Sequence, residues 1–417
     1  MNKKTLRDVN VQGKRVLMRV DFNVPIKDGI VSDDSRISAA LPSIRYCLEK
    51  GASVVLMSHL GRPKGGKVEP EFSLKPVAAK LEQLLGKPVA FAPDCIGDEA
   101  RSMAKAQKAG DVLLLENTRF YKEEEGKAKV ADDATDEQKK AAKAEMKAKQ
   151  ADMARKLAEL GDVYCNDAFG SAHRAHASTA VVCKYFKENV AGFLMEKEID
   201  YLGSAVENPT RPFIAILGGA KVSDKIPVIE NLLKKADGIL IGGAMAFTFL
   251  KAKGVAVGTS LVENEFIGKA KEFMASAVEL KKVLLLPVDH VIAPAIAAGD
   301  KATVTVTDAV PGDQMGLDIG PKTRAAYAAE IAKAKTIVWN GPMGVFEQKA
   351  FAEGTFSVAK AVAASSSTSI VGGGDSVSAV NKSGVADKIT HISTGGGASL
   401  EFLEGKVLPG VAALSDR

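Results

Sequence analysis

The sequence predicts an α/β protein with two mainly parallel sheets of about six strands each, flanked by helices. Short β-branched or leucine-rich runs alternate with helical patterns along the whole chain, the mark of βαβ units. At 417 residues the chain is long for one domain and comfortable for two. Two sheets also suit the strand count better than one of about twelve, because twisted open sheets rarely grow past about ten strands.

Strands are expected near residues 16–20, 53–57, 88–91, 112–115 and 163–165 in the first half. The helix after the first of them is well marked. Ile37, Leu41, Ile44 and Leu48 recur at helical spacing between Ser35 and Lys50, and Gly51 closes it. Residues 122–160 are rich in Lys, Glu and Ala, with a sparse apolar stripe of Met146, Met153, Leu157 and Leu160. That composition predicts a long, solvated helix with an exposed charged face and no chemistry of its own. Farther on, Met195, Ile199, Leu202 and Val206 share a helical face until Asn208-Pro209-Thr210-Arg211-Pro212 stops the helix. It reads as a connector between halves, with an ordinary core helix as the alternative. The second half places strands near 213–217, 238–241, 283–286, 303–306, 336–339 and 369–371.

Composition narrows the class. A hydrophobic share of 46% with 26% charged residues is ordinary for a soluble globular protein. A net charge of +5 is too small for this length to argue for nucleic acid. Cys47, Cys95, Cys165 and Cys183 are scattered without a C-x-x-C pair, so free thiols in a reducing compartment are expected. The basic start lacks the apolar segment of a secretory signal. The most apolar long window, Ile239 to Leu250, is too short for a span of about 20 residues. A cytoplasmic protein without a membrane partner is expected.

Chemistry should collect where strands end, because open α/β sheets bind ligands outside the carboxyl ends of their strands. First-half runs end on polar and charged residues, giving a set of Asp21, Asn23, Arg36, His59, Arg62, Arg119, His173, Arg174 and His176. Guanidinium groups grip carboxylate and phosphate bidentately, so several around one cleft suit a small, multiply charged acid. His173 and His176 bracket Arg174 and are read as orienting it. Second-half runs end on glycine instead, at Gly218-Gly219, Gly242-Gly243 and Gly372-Gly373-Gly374. Bare backbone followed by a helix N-terminus suits a phosphate chain. Gly373-Gly374-Asp375-Ser376 fits that geometry, with Asp375 either capping the helix or binding Mg²⁺ on a nucleotide. Lys221 and Lys225, four apart, are expected to share one helical face along a polyphosphate. Two decoys fail. Gly61 to Val68 lacks the hydroxyl that closes a P-loop, and neither triple glycine completes a dinucleotide fingerprint, which excludes a dehydrogenase.

Together these segments resemble the phosphoglycerate kinases. Val20-Asp21-Phe22-Asn23-Val24-Pro25, Asp34-Ser35-Arg36-Ile37, Ser58-His59-Leu60-Gly61-Arg62-Pro63 and Glu116-Asn117-Thr118-Arg119-Phe120 appear in that family's order. Asn166 to His176, Leu217 to Lys225, Trp339 to Glu347, Gly373 to Ser376 and Ser393 to Ser399 continue the likeness to the end of the chain. The resemblance implies two Rossmann-like domains: 1–188 with 405–417 for the glycerate ligand, and 209–404 for nucleotide, joined by a hinge helix at 189–208. Asp21, Asn23, Arg36, His59, Arg62, Arg119 and Arg174 would hold 3-phosphoglycerate or 1,3-bisphosphoglycerate. Lys225, Gly316, Asn340, Glu347, Gly373, Gly374, Asp375 and Ser376 would hold ATP or ADP, with Asp375 towards Mg²⁺. Arg36, Lys221, Gly373 and Gly396 would act on the phosphoryl group in flight. A monomer is implied as well. The charged segment between Arg119 and Asn166 is longer than the family usually carries, and is expected to be an exposed insertion that leaves the site alone. Another acyl-phosphate kinase, or a non-catalytic phosphometabolite-binding protein, are the competing readings. Intact Lys221, Lys225 and Asp375 speak against the second.

Overall fold

The computed structural model describes residues 2–417. They divide into two compact units, one running to Ile199 and including Val407–Arg417, the other Asp200–Lys406.

The first unit contains β1 (Arg15–Arg19), a hairpin of β2 (Ile26–Lys27) and β3 (Ile30–Val31), then α1 (Ser35–Glu49) and β4 (Ser53–Met57). It continues with α2 (Lys75–Leu85), β5 (Ala90–Ala92), α3 (Asp98–Ala106), β6 (Val112–Leu115), α4 (Asp136–Ala158), β7 (Val163–Asn166) and β8 (Asn189–Ala191). Six strands form one sheet in the order β5-β6-β4-β1-β7-β8, all parallel. Every residue of β4 and β6 is buried, as expected for strands covered on both faces. Ile37, Ala40, Ile44 and Cys47 form the buried face of α1. Arg19 stands level with Met57 on one side and Asn166 on the other, so the loops after β1, β4 and β7 leave the same edge together.

Helix α5 (Phe193–Glu207) follows, and the division between units falls inside it. The second unit then runs β9 (Phe213–Leu217), α6 (Ile226–Lys235), β10 (Gly238–Ile241), α7 (Met245–Ala252), α8 (Ile267–Glu279) and β11 (Val283–Leu285). Next come β12 (His290–Ala293), β13 (Thr303–Val304), β14 (Met315–Ile319), α9 (Pro321–Lys333), β15 (Thr336–Asn340) and α10 (Glu353–Ala364). It ends with β16 (Thr368–Gly372), α11 (Gly374–Lys382), β17 (His391–Ile392) and α12 (Gly397–Leu403). The parallel sheet β11-β10-β9-β15-β16-β17 again has six strands. Trp339 on β15 is fully buried at its centre. A short helix, α13 (Pro409–Ala412), returns to the first unit, where Gly410 donates its N–H to Ala172 at 2.8 Å.

Two parallel six-stranded sheets agree with expectation, but three details differ. Residues 189–191, expected as the start of the connector helix, form the edge strand β8, and the helix begins only at Phe193. Asn189-Val190-Ala191 is too short a run to show periodicity, and it takes its strand from pairing with β7. The run at 303–306 is not part of the main sheet. Thr303–Val304 pairs antiparallel with β12 in a separate three-stranded sheet, order β13-β12-β14. The sixth place in the main sheet belongs to β17, only two residues long. Finally, α4 is not solvated throughout. Its C-terminal half buries Gln150, Met153, Ala154 and Leu157, while most of its N-terminal half is exposed. Among the described residues no helix is long and apolar enough to cross a membrane. All four cysteines are free and buried.

Candidate active site

In the first unit, the expected basic set converges where β1, β4, β6 and β7 end. Asp21, two residues past the end of β1, accepts a hydrogen bond from Arg36 in the first turn of α1 at 2.8 Å. Asn23 Oδ1 accepts from the Gly61 N–H at 2.9 Å, which ties the β1 loop to the β4 loop. Arg119 donates to the Gly61 carbonyl at 2.8 Å, which brings in the β6 loop. Gly61 itself has φ +62°, and a Cβ there would collide with the Phe72 ring, so no other residue fits this junction. The β6 loop is held from behind: buried Glu116 accepts from Ser73 Oγ at 2.7 Å and from the Leu74 N–H at 2.8 Å. Asn117 Nδ2 donates to the carbonyls of Leu60 and Phe72 at 2.8 and 2.9 Å. Arg62 and Arg174 are exposed.

The histidines stand in a strongly positive field. His59 is buried, and its imidazole is held well below the usual range by burial, then by Arg19, Arg119, His176 and Arg36. His176 is pushed down to about 3 by burial and by Arg119, Arg19 and Arg174. Both rings are therefore neutral at physiological pH. Burial also lowers the Arg119 guanidinium, against the pull of Glu125, whose carboxylate lies 3.5 Å from Nε.

Sequence reasoning missed several contributors. Arg19, Glu124 and Ser178 are fully buried beneath the basic set, and Glu125 touches Arg119. The available signal was Arg19 itself, a cation inside the apolar run Val16-Leu17-Met18-Arg19-Val20, since buried arginines occur with partners. The charged insertion also touches this region. Gln150 on α4 donates to the carbonyls of Glu124 at 3.3 Å and Ala175 at 3.2 Å, one residue past Arg174.

In the second unit, a cavity of about 280 Å³ opens at the carboxyl ends of β9, β10 and β15. Gly219, Gly316, Pro342, Val345, Glu347 and Asp375 are among the residues that line it. The turns after β9 and β15 pack backbone to backbone. Gly341 has φ +98°, and a Cβ there would strike Gly218. Asn340, at the end of β15, accepts from the Lys225 ammonium and donates to the Gly372 carbonyl at 3.1 Å. Ser376 Oγ in the first turn of α11 accepts from the Gly341 N–H at 2.6 Å. Gly373 is the N-cap of α11 and Gly396 that of α12, so both stand at helix N-termini that favour anions. Burial lowers the Lys225 ammonium from its usual range, opposed by Asp224, Glu404 and Asp375.

Two readings are corrected here. Lys221 and Lys225 do not share a helical face. Ser223–Lys225 is a 3₁₀ turn, in which positions four apart do not stack. Lys225 turns to Asn340, whereas Lys221 stays exposed with Glu263 as an electrostatic neighbour. Asp375 is not a cap, since that place belongs to Gly373, which leaves it an exposed carboxylate in the first turn of α11.

The family model for phosphoglycerate kinase matches residues 6–406 of the chain. It belongs to the phosphoglycerate kinase family. Members of that family are phosphotransferases whose acceptor is a carboxyl group. The phosphoglycerate kinase of Chloroherpeton thalassium is 54% identical over 419 residues, covering 100% of both chains. That of Clostridium botulinum is 54% identical over 417 residues, covering 100% of this chain and 99% of its own. Among solved structures, phosphoglycerate kinase from Coxiella burnetii superposes with a TM-score of 0.87 at 44% identity, covering 99% of this chain and 98% of its own. The Pyrococcus horikoshii enzyme gives a TM-score of 0.78 at 36% identity, with the same coverages.

Proposed function

We propose that this chain catalyses reversible, Mg-dependent phosphoryl transfer between 1,3-bisphosphoglycerate and ADP, giving 3-phosphoglycerate and ATP, as a glycolytic enzyme of the cytoplasm. The observation that carries the reading is the gathering of Arg36, Arg119 and His59 at one sheet edge, beside exposed Arg62 and Arg174. Such a surface suits an acid with a phosphate at one end and a carboxylate at the other. Asp21 and Asn23 position it: one carboxylate oxygen steadies Arg36, and the Asn23 amide locks the loop carrying Arg62.

In the second unit, the cavity lined by Gly316 and Glu347 is assigned to the nucleoside. Lys225, Asn340 and the stretch Gly373, Gly374, Asp375 and Ser376 are assigned to its phosphates. Asp375 fits a Mg²⁺ that arrives with the nucleotide. It is an exposed carboxylate without a capping bond, and no cluster of three or more metal-binding side chains exists among the described residues. Magnesium suits such a site because it keeps water and phosphate ligands and needs only one or two carboxylates. When bound, the ion would neutralise phosphate charge.

The chemistry then asks little of the protein beyond position and charge. In the ATP-consuming direction the nucleophile is a carboxylate, already ionised at neutral pH, so no general base is needed. Neutral His59 and His176 accord with that absence. Arg36, Lys221 and the helix N-termini at Gly373 and Gly396 are assigned to the charge of the transferring group. Transfer is direct and in line after the units close about the hinge helix, which also keeps water from the acyl phosphate. The protein acts as a monomer. The test is a coupled assay with Mg-ATP and 3-phosphoglycerate, run beside acetate and aspartate. Turnover with phosphoglycerate alone is expected, and equal or preferred turnover of another acceptor would overturn the assignment.

A further inference from the structure

Beneath the basic set lies a buried chain of polar groups to which none of the assigned roles extends. Arg19, the last residue of β1, has no exposed surface, and all three guanidinium nitrogens are engaged. Its Nε donates to Ser178 Oγ at 2.8 Å, one terminal nitrogen meets the Val20 carbonyl, and the other lies 3.0 Å from His59 Nδ1. Ser178 Oγ passes the connection on, donating to Glu124 at 2.5 Å. The Glu124 carboxylate, also without exposed surface, accepts further from the Ser178 N–H at 3.0 Å and Thr118 Oγ1 at 3.2 Å. A buried guanidinium thus has its counter-charge, one serine away, on the segment leading into the insertion.

The contact with His59 has only one chemical meaning. Arginine offers donors and no acceptor, and it is not deprotonated in proteins. The ring atom 3.0 Å away must therefore accept, and His59 Nδ1 carries no proton. A neutral imidazole with an accepting Nδ1 has its single proton on Nε2. We propose that Arg19 is a positioning residue that fixes His59 as the Nε2–H tautomer, a permanent neutral donor to the glycerate ligand. This rests on the assignment of His59 to that ligand.

The surroundings explain why a lock is useful. The groups facing His59 are Arg19 from β1, Arg36 from α1, Arg119 from the β6 loop and His176 from the β7 loop, with Glu124 3.9 Å beyond His176. Cations outnumber carboxylates, so a proton on Nδ1 would face the guanidinium directly. A ring left to titrate near its ordinary value would change charge across the pH range in which the ligand's own phosphate titrates. Held neutral, it offers the same single hydrogen bond throughout, and Arg36, Arg62, Arg119 and Arg174 alone supply charge.

The test reads the tautomer directly. Long-range ¹H–¹⁵N spectra of the ligand-free, ¹⁵N-labelled full chain, with His59 assigned by its loss in His59→Gln, are expected to show unprotonated Nδ1 and protonated Nε2. Neither shift should move between about pH 5.5 and 8. In Arg19→Met, burial, Arg119, His176 and Arg36 still hold the His59 ring neutral, and both tautomers are expected to be populated. Affinity for 3-phosphoglycerate should then fall about tenfold at pH 7.5. A wild-type His59 carrying its proton on Nδ1, or titrating normally, overturns the proposal without need of any variant. So does a folded Arg19→Met with an unchanged His59 spectrum. Because the tautomer is read without ligand, failure of the wild type to bind 3-phosphoglycerate would count against the functional assignment and leave this result standing.

Discussion

The Arg36 guanidinium is fixed on one edge by Asp21 at 2.8 Å, yet 41% of its side-chain surface stays open. That state suits the role proposed for it, of meeting a migrating charge without first searching for its place. Removing a cation from phosphoryl-transfer sites costs about 10³–10⁵ in turnover. Arg36→Ala is expected to approach that loss, with ATP affinity by calorimetry nearly unchanged; near-normal turnover would refute the role. Gly61 makes a second residue-level case. Gly61→Ala places a methyl against Phe72 at φ +62°, so a stability loss of about 1–3 kcal/mol is expected. Because Gly61 also ties Asn23 to Arg119, the KM for 3-phosphoglycerate should rise while that for ATP stays constant. Equal effects on both substrates would mean a merely structural glycine.

At the scale of elements, Asp167 joins the β7 motif to helix α5. Its Oδ1 accepts from the Leu194 and Met195 N–H groups at 2.9 and 3.1 Å, and burial raises the carboxyl to about 6. A carboxyl raised on folding contributes stability that is fully present below its unfolded value and lost as pH climbs through the folded one. The window here runs from about pH 4 to 6. Asp167→Asn keeps the accepting oxygen and removes the charge. Its stability relative to wild type, from denaturant midpoints, is expected to improve by up to about 3 kcal/mol between pH 4 and 7. A pH-independent difference would show that Asp167 does not titrate there. Helix α4 contributes at one end only. Gln150→Ala should raise the KM for 3-phosphoglycerate a few-fold by loosening the Ala175 loop, whereas Lys143→Ala, on the exposed half, should change stability by less than about 0.5 kcal/mol. Identical kinetics for the two variants would return α4 to a passive insertion.

For the whole molecule, the proposed reaction sets a demand that neither unit meets alone. Each ligand is assigned to its own unit, so transfer requires the two to approach. Small-angle scattering is expected to show compaction when 3-phosphoglycerate and a non-hydrolysable nucleotide are present together, beyond that with either alone. Superimposable curves in all four states would remove hinge closure from the mechanism.

The sequence by itself determined the fold class and the address of each candidate residue. Apolar runs such as Val54-Val55-Leu56-Met57 make buried parallel strands whatever surrounds them, and the residue after each run inherits the binding edge. What it left open was everything that depends on a distant partner. β8 and β17 are too short to announce themselves and exist because β7 and β16 offer free edges. Lys221 and Lys225 looked like a pair by spacing and were separated by a 3₁₀ turn and by Asn340, more than a hundred positions away. Glu124 lay in a stretch that composition marked as solvent-exposed, and only packing against Ser178 and Thr118 buried its charge. Periodicity records which face a segment hides; it carries no record of which remote donor will reach a given acceptor, and the tautomer of His59 is decided by such a donor.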